Sequence, residues 1–137
     1  MPAQEFIDTN VIVRHVAADH ADHSPRARAY LESLDQPGNQ ANIIEGVLVE
    51  SLNVLTSPRL YGLSRPDAAA AVGDILSMRG VKIPNKRVYL EALRLYGATR
   101  LDFVDALNVA HARRRGATIV SFDADYDKIP GARRRAP

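Results

Sequence analysis

The chain has 137 residues, enough for one domain with a real core, and its 18 Lys and Arg against 16 Asp and Glu give a formal charge of +2. It has no cysteine, which excludes disulfides, thiolate zinc sites and a cysteine nucleophile. No apolar run is long enough to span a bilayer and the N-terminus lacks a basic-then-apolar signal, so the expectation is a single soluble, cytoplasmic domain over residues 1–137.

Residues 3 to 8 read as a first strand with Phe6 and Ile7 apolar, and it delivers Asp8 at its end. Thr9 or Asn10 can cap the helix that follows over residues 10 to about 18. A strand that ends on a carboxylate and turns into a helix sets that charge at the sheet's carboxyl edge, where open α/β folds bind ligands. The positive end of the helix favours the ionised form. His15, His20 and His23 follow in a polar stretch with no regular face, a poor pattern for a metal site.

Ser24-Pro25 starts a helix that runs to about Asp35, with Ser24 as cap, and Gln36-Pro37-Gly38-Asn39 breaks it. Ala41 to Ile43 is a short strand. Ile44 to Leu55 is a helix with Val47, Leu48, Leu52 and Leu55 at helical spacing, and Glu50 interrupts this apolar neighbourhood. Leu63 to Asp67 opens a helix stopped by Gly80; Val81 to Ile83 is a strand; Lys86 to about Tyr96 is another helix.

In LDFVDALNVAHARRRG, Asp102 and Asp105 are three apart and both fall in a helix's first turn, with Asp102 suited to the cap position. Gly116 closes that helix, and Ala117 to Phe122 forms a strand that delivers Asp123 much as the first delivers Asp8. Asp125 and Asp127 follow in a short turn. The closing PGARRRAP is either a last short strand or a loose tail. Two basic runs, Arg113 to Arg115 and Arg133 to Arg135, suit either phosphate anchoring or a solvated helix end and tail.

Strands alternating with helices predict a parallel sheet with helices on both faces. Strand ends and helix starts then share one edge, so Asp8, Asp105 and Asp123 should converge there, with Glu50 as a fourth. Four such carboxylates repel one another and call for a cation. Oxygen ligands alone suit Mg²⁺ or Mn²⁺ rather than Zn²⁺. Such a site is well matched to phosphodiester hydrolysis.

FIDTNVIVRHV, the VLVESLNVL block around Glu50, LDFVDALNVAHA and IVSFDADYDKIPG together resemble a PIN-domain ribonuclease, most closely the toxin components of VapBC-type toxin–antitoxin pairs. The motifs run in order over nearly the whole chain, from residue 5 to about 131. The resemblance implies a three-layer α/β/α sandwich with a central, mainly parallel sheet. It also implies Mg²⁺ or Mn²⁺ dependence, endonucleolytic cleavage of RNA, homodimerisation and inhibition by an antitoxin. Asp8, Glu50, Asp105 and Asp123 match the family's acidic residues, as catalytic groups and metal ligands. Thr9 and Asn10 match its polar pair in a supporting role, and Ser121 stands where the family often has Thr. Asp102 is an additional carboxylate, and Asn108 occupies a place that is often apolar. Three other readings are a housekeeping PIN nuclease in RNA maturation or decay, a degenerate, non-catalytic binding module, against which the four filled acidic positions argue, and a non-nuclease phosphate-handling α/β domain. The last needs a positioned lysine, and Lys82, Lys86 and Lys128 are the only lysines.

Overall fold

The computed structural model describes residues 3–137. In chain order the elements are α1 (Thr9–Ala17), α2 (His23–Ser33), β1 (Ala41–Asn42), α3 (Glu45–Thr56), α4 (Arg65–Leu76), β2 (Val81–Lys82), α5 (Lys86–Ala98), α6 (Phe103–Arg115), β3 (Ile119–Val120), a 3₁₀ turn (Ala124–Lys128) and β4 (Arg134–Arg135). Strands alternate with helices and, among the described residues, all the pairings are parallel, so the α/β class holds. The strands are far shorter than the sequence suggests. The first contributes one bridge, between Phe6 and Asn42, because the chain turns into α1 directly after Ile7 has donated to the Asn42 carbonyl at 2.9 Å. Among the described residues the ladders fall into two groups: Phe6 with β1 and β2, and β3 with β4.

The helices therefore supply most of the core. In α3 the buried residues are Leu48, Ser51, Leu52 and Leu55, a stripe at helical spacing. Glu50 stands about 200° around the helix from Leu48, at about 100° per residue, and is exposed as that geometry requires. In α6 the residues Phe103, Ala106, Leu107, Val109 and Ala110 face inward, which leaves Asp105 and Asn108 on a partly exposed edge.

Two polar contacts tie the elements together. The Arg65 guanidinium, at the start of α4, lies 3.9 Å from the centre of the Tyr96 ring. It donates to the Tyr96 carbonyl at 3.1 Å and also to the Leu101 carbonyl. One side chain thus satisfies carbonyls at the end of α5 and just before α6. At the other end of the molecule Gly80 donates to the Leu34 carbonyl and accepts from Ala41, both at 2.8 Å, so the end of α2, β1 and β2 meet on its backbone.

The C-terminal segment is a strand rather than a tail. The Arg133 carbonyl accepts from Ile119 at 2.7 Å and the Arg135 carbonyl from Ser121 at 3.0 Å. No helix among the described residues is long and apolar enough to cross a membrane.

A Cβ at Gly80 would lie 2.3 Å from the Leu34 carbonyl oxygen and 2.4 Å from that of Asn39, both backbone atoms that cannot yield easily. At Gly116, which ends α6 with φ of +61°, a Cβ meets open space and only the backbone conformation resists it. Gly80→Ala is expected to cost about 2–4 kcal/mol and Gly116→Ala about 1 kcal/mol, read by urea unfolding. Equal losses would show that the close approach at Gly80 is not limiting.

Tyr30 on α2 donates its hydroxyl to Glu5 Oε1 at 2.6 Å. Burial, then this bond and the Glu5 charge, push the phenol up to about 12, against about 10 in an unfolded chain. The folded protein therefore keeps a proton that the unfolded chain loses first. The stabilisation is complete below about pH 10 and is lost as pH rises towards 12. The stability gap between the parent and Tyr30→Phe should stay constant up to about pH 10 and close above it, measured by unfolding at fixed pH steps.

Candidate active site

Asp8 occupies the N-cap position of α1, with extended backbone at φ −89° and ψ 160°, yet its carboxylate takes no cap hydrogen bond. Thr9 and Asn10 are the first two residues of the helix rather than its cap; Thr9 is buried and Asn10 exposed. Asp102 likewise holds the N-cap position of α6 without a side-chain cap bond. Asp8, Glu50 and Asp102 are all exposed. None of their carboxylates has a hydrogen bond or ion pair among the described residues. Carboxylates beside helix N-termini are favoured by the helix dipole even without such bonds.

Asp105, in the first turn of α6, is different. It accepts a hydrogen bond from the Tyr126 hydroxyl at 2.9 Å, and the Asn108 amide donates to the same phenol oxygen at 3.3 Å. Residues three apart on a helix share a face, so one phenol reaches both. Burial pushes the Tyr126 phenol up from its ordinary value. The Asn108 amide pulls it down, while the Asp105 carboxylate, by hydrogen bond and charge, and the Asp123 charge push it further up.

Asp123 begins the 3₁₀ turn and accepts from the Asp125 amide at 2.8 Å. Its own amide donates to the Ser121 hydroxyl at 2.9 Å, so the supporting residue Ser121 shapes the turn that carries it. Arg134 of β4 holds the same turn from below. Its Nε and Nη2 donate to the two Asp127 oxygens at 3.0 and 2.9 Å, and its Nη1 donates to the Ser121 carbonyl at 3.0 Å. This forked contact keeps the Asp127 carboxyl below its ordinary range.

Asp105 and Asp123 are thus linked through Tyr126, while Asp8 and Glu50 stand on separate elements without a connecting side chain. Among the described residues no three His, Asp or Glu side chains gather closely enough to enclose a metal ion. His15, His20 and His23 accordingly form no ligand cluster; the rings of His20 and His23 stack 4.0 Å apart, and His20 Nδ1 accepts the amides of Asp22 and His23.

The three arginines at the end of α6 do not form one unit. Arg113 is half-buried, pairs with Glu91 at 3.3 Å and donates to the Pro130 carbonyl, so it fastens α6 to α5 and to the segment before β4. Arg114 and Arg115 are exposed. The basic run therefore narrows to these two as candidate phosphate contacts. In the second run Arg134 is committed to Asp127, which leaves Arg133 and Arg135 exposed.

Tyr126 and Arg134 are the residues that reasoning from the sequence misses. The signal for Tyr126 is a single aromatic side chain in the otherwise acidic DADYD run, a residue with no reason to be there unless its ring is buried. For Arg134 there is no local signal, since its partners lie 7 and 13 residues away across a strand pairing.

Along the sequence, the family model described as PIN domain matches residues 6–132. The chain is also 25% identical over 126 residues, 91% of each chain, to a VapC ribonuclease of Aquifex aeolicus (strain VF5). The match runs from the segment before Asp8 to beyond the 3₁₀ turn that carries Asp123 and Tyr126, and so includes each acidic position described above; the chain belongs to the PIN-domain family.

Proposed function

We propose that the protein is a divalent-metal-dependent endoribonuclease, the toxin of a toxin–antitoxin pair that its cognate antitoxin inhibits. The observation that carries this reading is the family match across nearly the whole chain with all four acidic positions, Asp8, Glu50, Asp105 and Asp123, occupied by carboxylates. The likeness to a VapC ribonuclease supports the toxin assignment. On the same reading the helices flank a central parallel sheet in three layers, and the protein works in the cytoplasm as a homodimer.

The donor set suits Mg²⁺ or Mn²⁺. Every candidate ligand is a carboxylate, and Asp8 and Glu50 are free of protein partners among the described residues. A closed cage is not needed, because Mg²⁺ keeps several waters and takes few carboxylates together with substrate phosphate. Asp8, Glu50, Asp105 and Asp123 are the groups that would hold the ion, few of them directly and the others through its waters, and when bound it would acidify water and neutralise charge on the phosphoryl group. The chain's own contribution is positional. Helices α1 and α6 start without side-chain caps, and although the Val11 N–H is taken by the Asp8 carbonyl, the N–H groups of Thr9 and Asn10 in α1 and of the first turn of α6 are left to receive phosphate oxygens. Tyr126 holds Asp105, and Ser121 and Arg134 hold the turn that presents Asp123.

A groove of about 640 Å³ supports the antitoxin reading. Phe6, Ile7, Asn10, Val11, Arg14 and Tyr30 line it, and Phe6 is 64% exposed. It adjoins Asp8 along the chain, so a bound segment with an apolar side chain in the groove can carry an Arg or Lys to the acidic edge. Binding of the product of an adjacent gene, together with growth arrest on expression alone, separates this reading from that of a housekeeping nuclease.

Cleavage of RNA in Mg²⁺ or Mn²⁺ is expected to stop in EDTA. A cation that binds only the folded state adds about 2.7 kcal/mol at 100 times its Kd, and each kcal/mol moves the melting temperature of a domain this size by about 3–5 °C. Saturating Mn²⁺ should therefore raise Tm by about 10 °C in the parent. The shift should largely vanish in Asp8→Asn and Asp105→Asn and be mostly kept in Asp102→Asn. Equal shifts in all four proteins would remove Asp8 and Asp105 from the ligand set.

Arg114 and Arg115 lie about 14–15 Å along α6 from Asp105, at about 1.5 Å per residue, too far to touch the scissile phosphate. Replacing both with Ala should weaken RNA binding and reduce its salt slope by about 1 for each phosphate no longer neutralised, with turnover at saturating RNA retained. Arg113→Ala should instead lower thermal stability, because it leaves Glu91 and the Pro130 carbonyl without their partner. Loss of turnover in the Arg114/Arg115 variant with the fold intact would contradict this division.

A further inference from the structure

We infer that Tyr126 is a positioning residue for Asp105: its hydroxyl fixes one carboxylate oxygen and leaves the other as the donor for a divalent cation. This rests on the nuclease reading above.

The hydroxyl of a tyrosine carries one proton and can also accept. Here the Asn108 amide donates to the phenol oxygen, so the phenol proton is committed to Asp105 Oδ1. The arrangement has a fixed direction, from amide to phenol to carboxylate. It is also held at both ends. Asp105 and Asn108 stand on the same face of α6, whose buried stripe anchors the helix. The Tyr126 ring is buried, 3% exposed, in a 3₁₀ turn that Asp123 caps and that Ser121 and Arg134 brace. A phenylalanine would fill the same space without the bond, so the hydroxyl is not needed for packing.

Among the described residues, Asp105 alone of the four candidate ligands receives a hydrogen bond from another residue's side chain. Asp8 and Glu50 receive none, and Asp123 is bonded to a backbone amide of its own turn. Because the bond occupies one oxygen, Asp105 offers a cation a single, oriented oxygen. A partner that orients a ligand in this way is worth about 10–100-fold in metal affinity or activity in other proteins.

The test uses the full chain, with Mn²⁺ alone as the probe. Calorimetric titration of Mn²⁺ without RNA compares the parent with Tyr126→Phe, Asn108→Ala, Asp105→Asn and the Asp105→Asn/Tyr126→Phe double variant. The expected result is Mn²⁺ binding weaker by about 10-fold or more in Tyr126→Phe, with a smaller loss in Asn108→Ala. The double variant should bind no more weakly than Asp105→Asn. In cleavage assays at limiting Mn²⁺ Tyr126→Phe should be slow, and raising Mn²⁺ should restore its rate with KM for RNA unchanged, a rescue that a loss of folded enzyme would not show. Unchanged Mn²⁺ affinity and an unchanged rate at limiting Mn²⁺ in Tyr126→Phe, with the parent binding Mn²⁺, would overturn the positioning role and leave the nuclease reading intact. Should Tyr126→Phe fail to fold, unchanged affinity in Asn108→Ala, whose side chain is exposed, overturns it instead. A parent that neither binds Mn²⁺ nor cleaves RNA would overturn both.

Discussion

The start of α6 is held by one guanidinium. Arg65 stacks on Tyr96 and donates to carbonyls on both sides of the turn from α5 into α6. The last carbonyls of a helix need partners, and a charged donor in a half-buried place satisfies them more strongly than a neutral one. Its position determines where Leu101 ends and therefore where Asp102 and Asp105 begin. The cation–π contact adds the smaller share of the energy, on the order of 0.5–1 kcal/mol, but it fixes the plane from which the hydrogen bonds are made. The start of α6, and with it the placement of Asp105, thus depends on the first residue of α4.

Helices are legible in the sequence because their periodicity is long; their caps are less so, since Ser24, expected to cap α2, lies inside it with Asp22 at the N-cap position. The stripe in α3, the Ser64 cap that accepts the Asp67 amide, and Gly116 in the left-handed conformation all follow from residue types. The strands are harder. Pairings of one or two residues leave almost no period to count, so an apolar run such as Ala117 to Phe122 reads as longer than Ile119–Val120. The pairing of β3 with β4 joins residues 15 apart and makes structure from an arginine-rich segment whose composition alone fits a tail.

The acidic residues are legible by position, and their environments are not. Asp8 and Asp102 stand where helix caps stand, yet neither side chain caps. Asp123 stands in the same kind of place and does cap, because the short 3₁₀ turn brings the Asp125 amide back within 2.8 Å. Nor can residue types divide the arginine run. Arg113 faces Glu91 and Arg114 faces water because a helix turns about 100° between neighbours.

The brace made by Arg134 has a consequence for the order in which the chain is made and unmade. Synthesis runs from Asp8 through Asp123 before β4 leaves the ribosome, so the turn carrying Asp123 emerges ahead of the arginine that steadies it. A protease that cuts just beyond Gly131 would remove the brace and spare Asp8, Glu50, Asp105 and Asp123. Such a clipped chain would keep its full set of acidic residues while the strand that shapes the turn carrying Asp123 is gone.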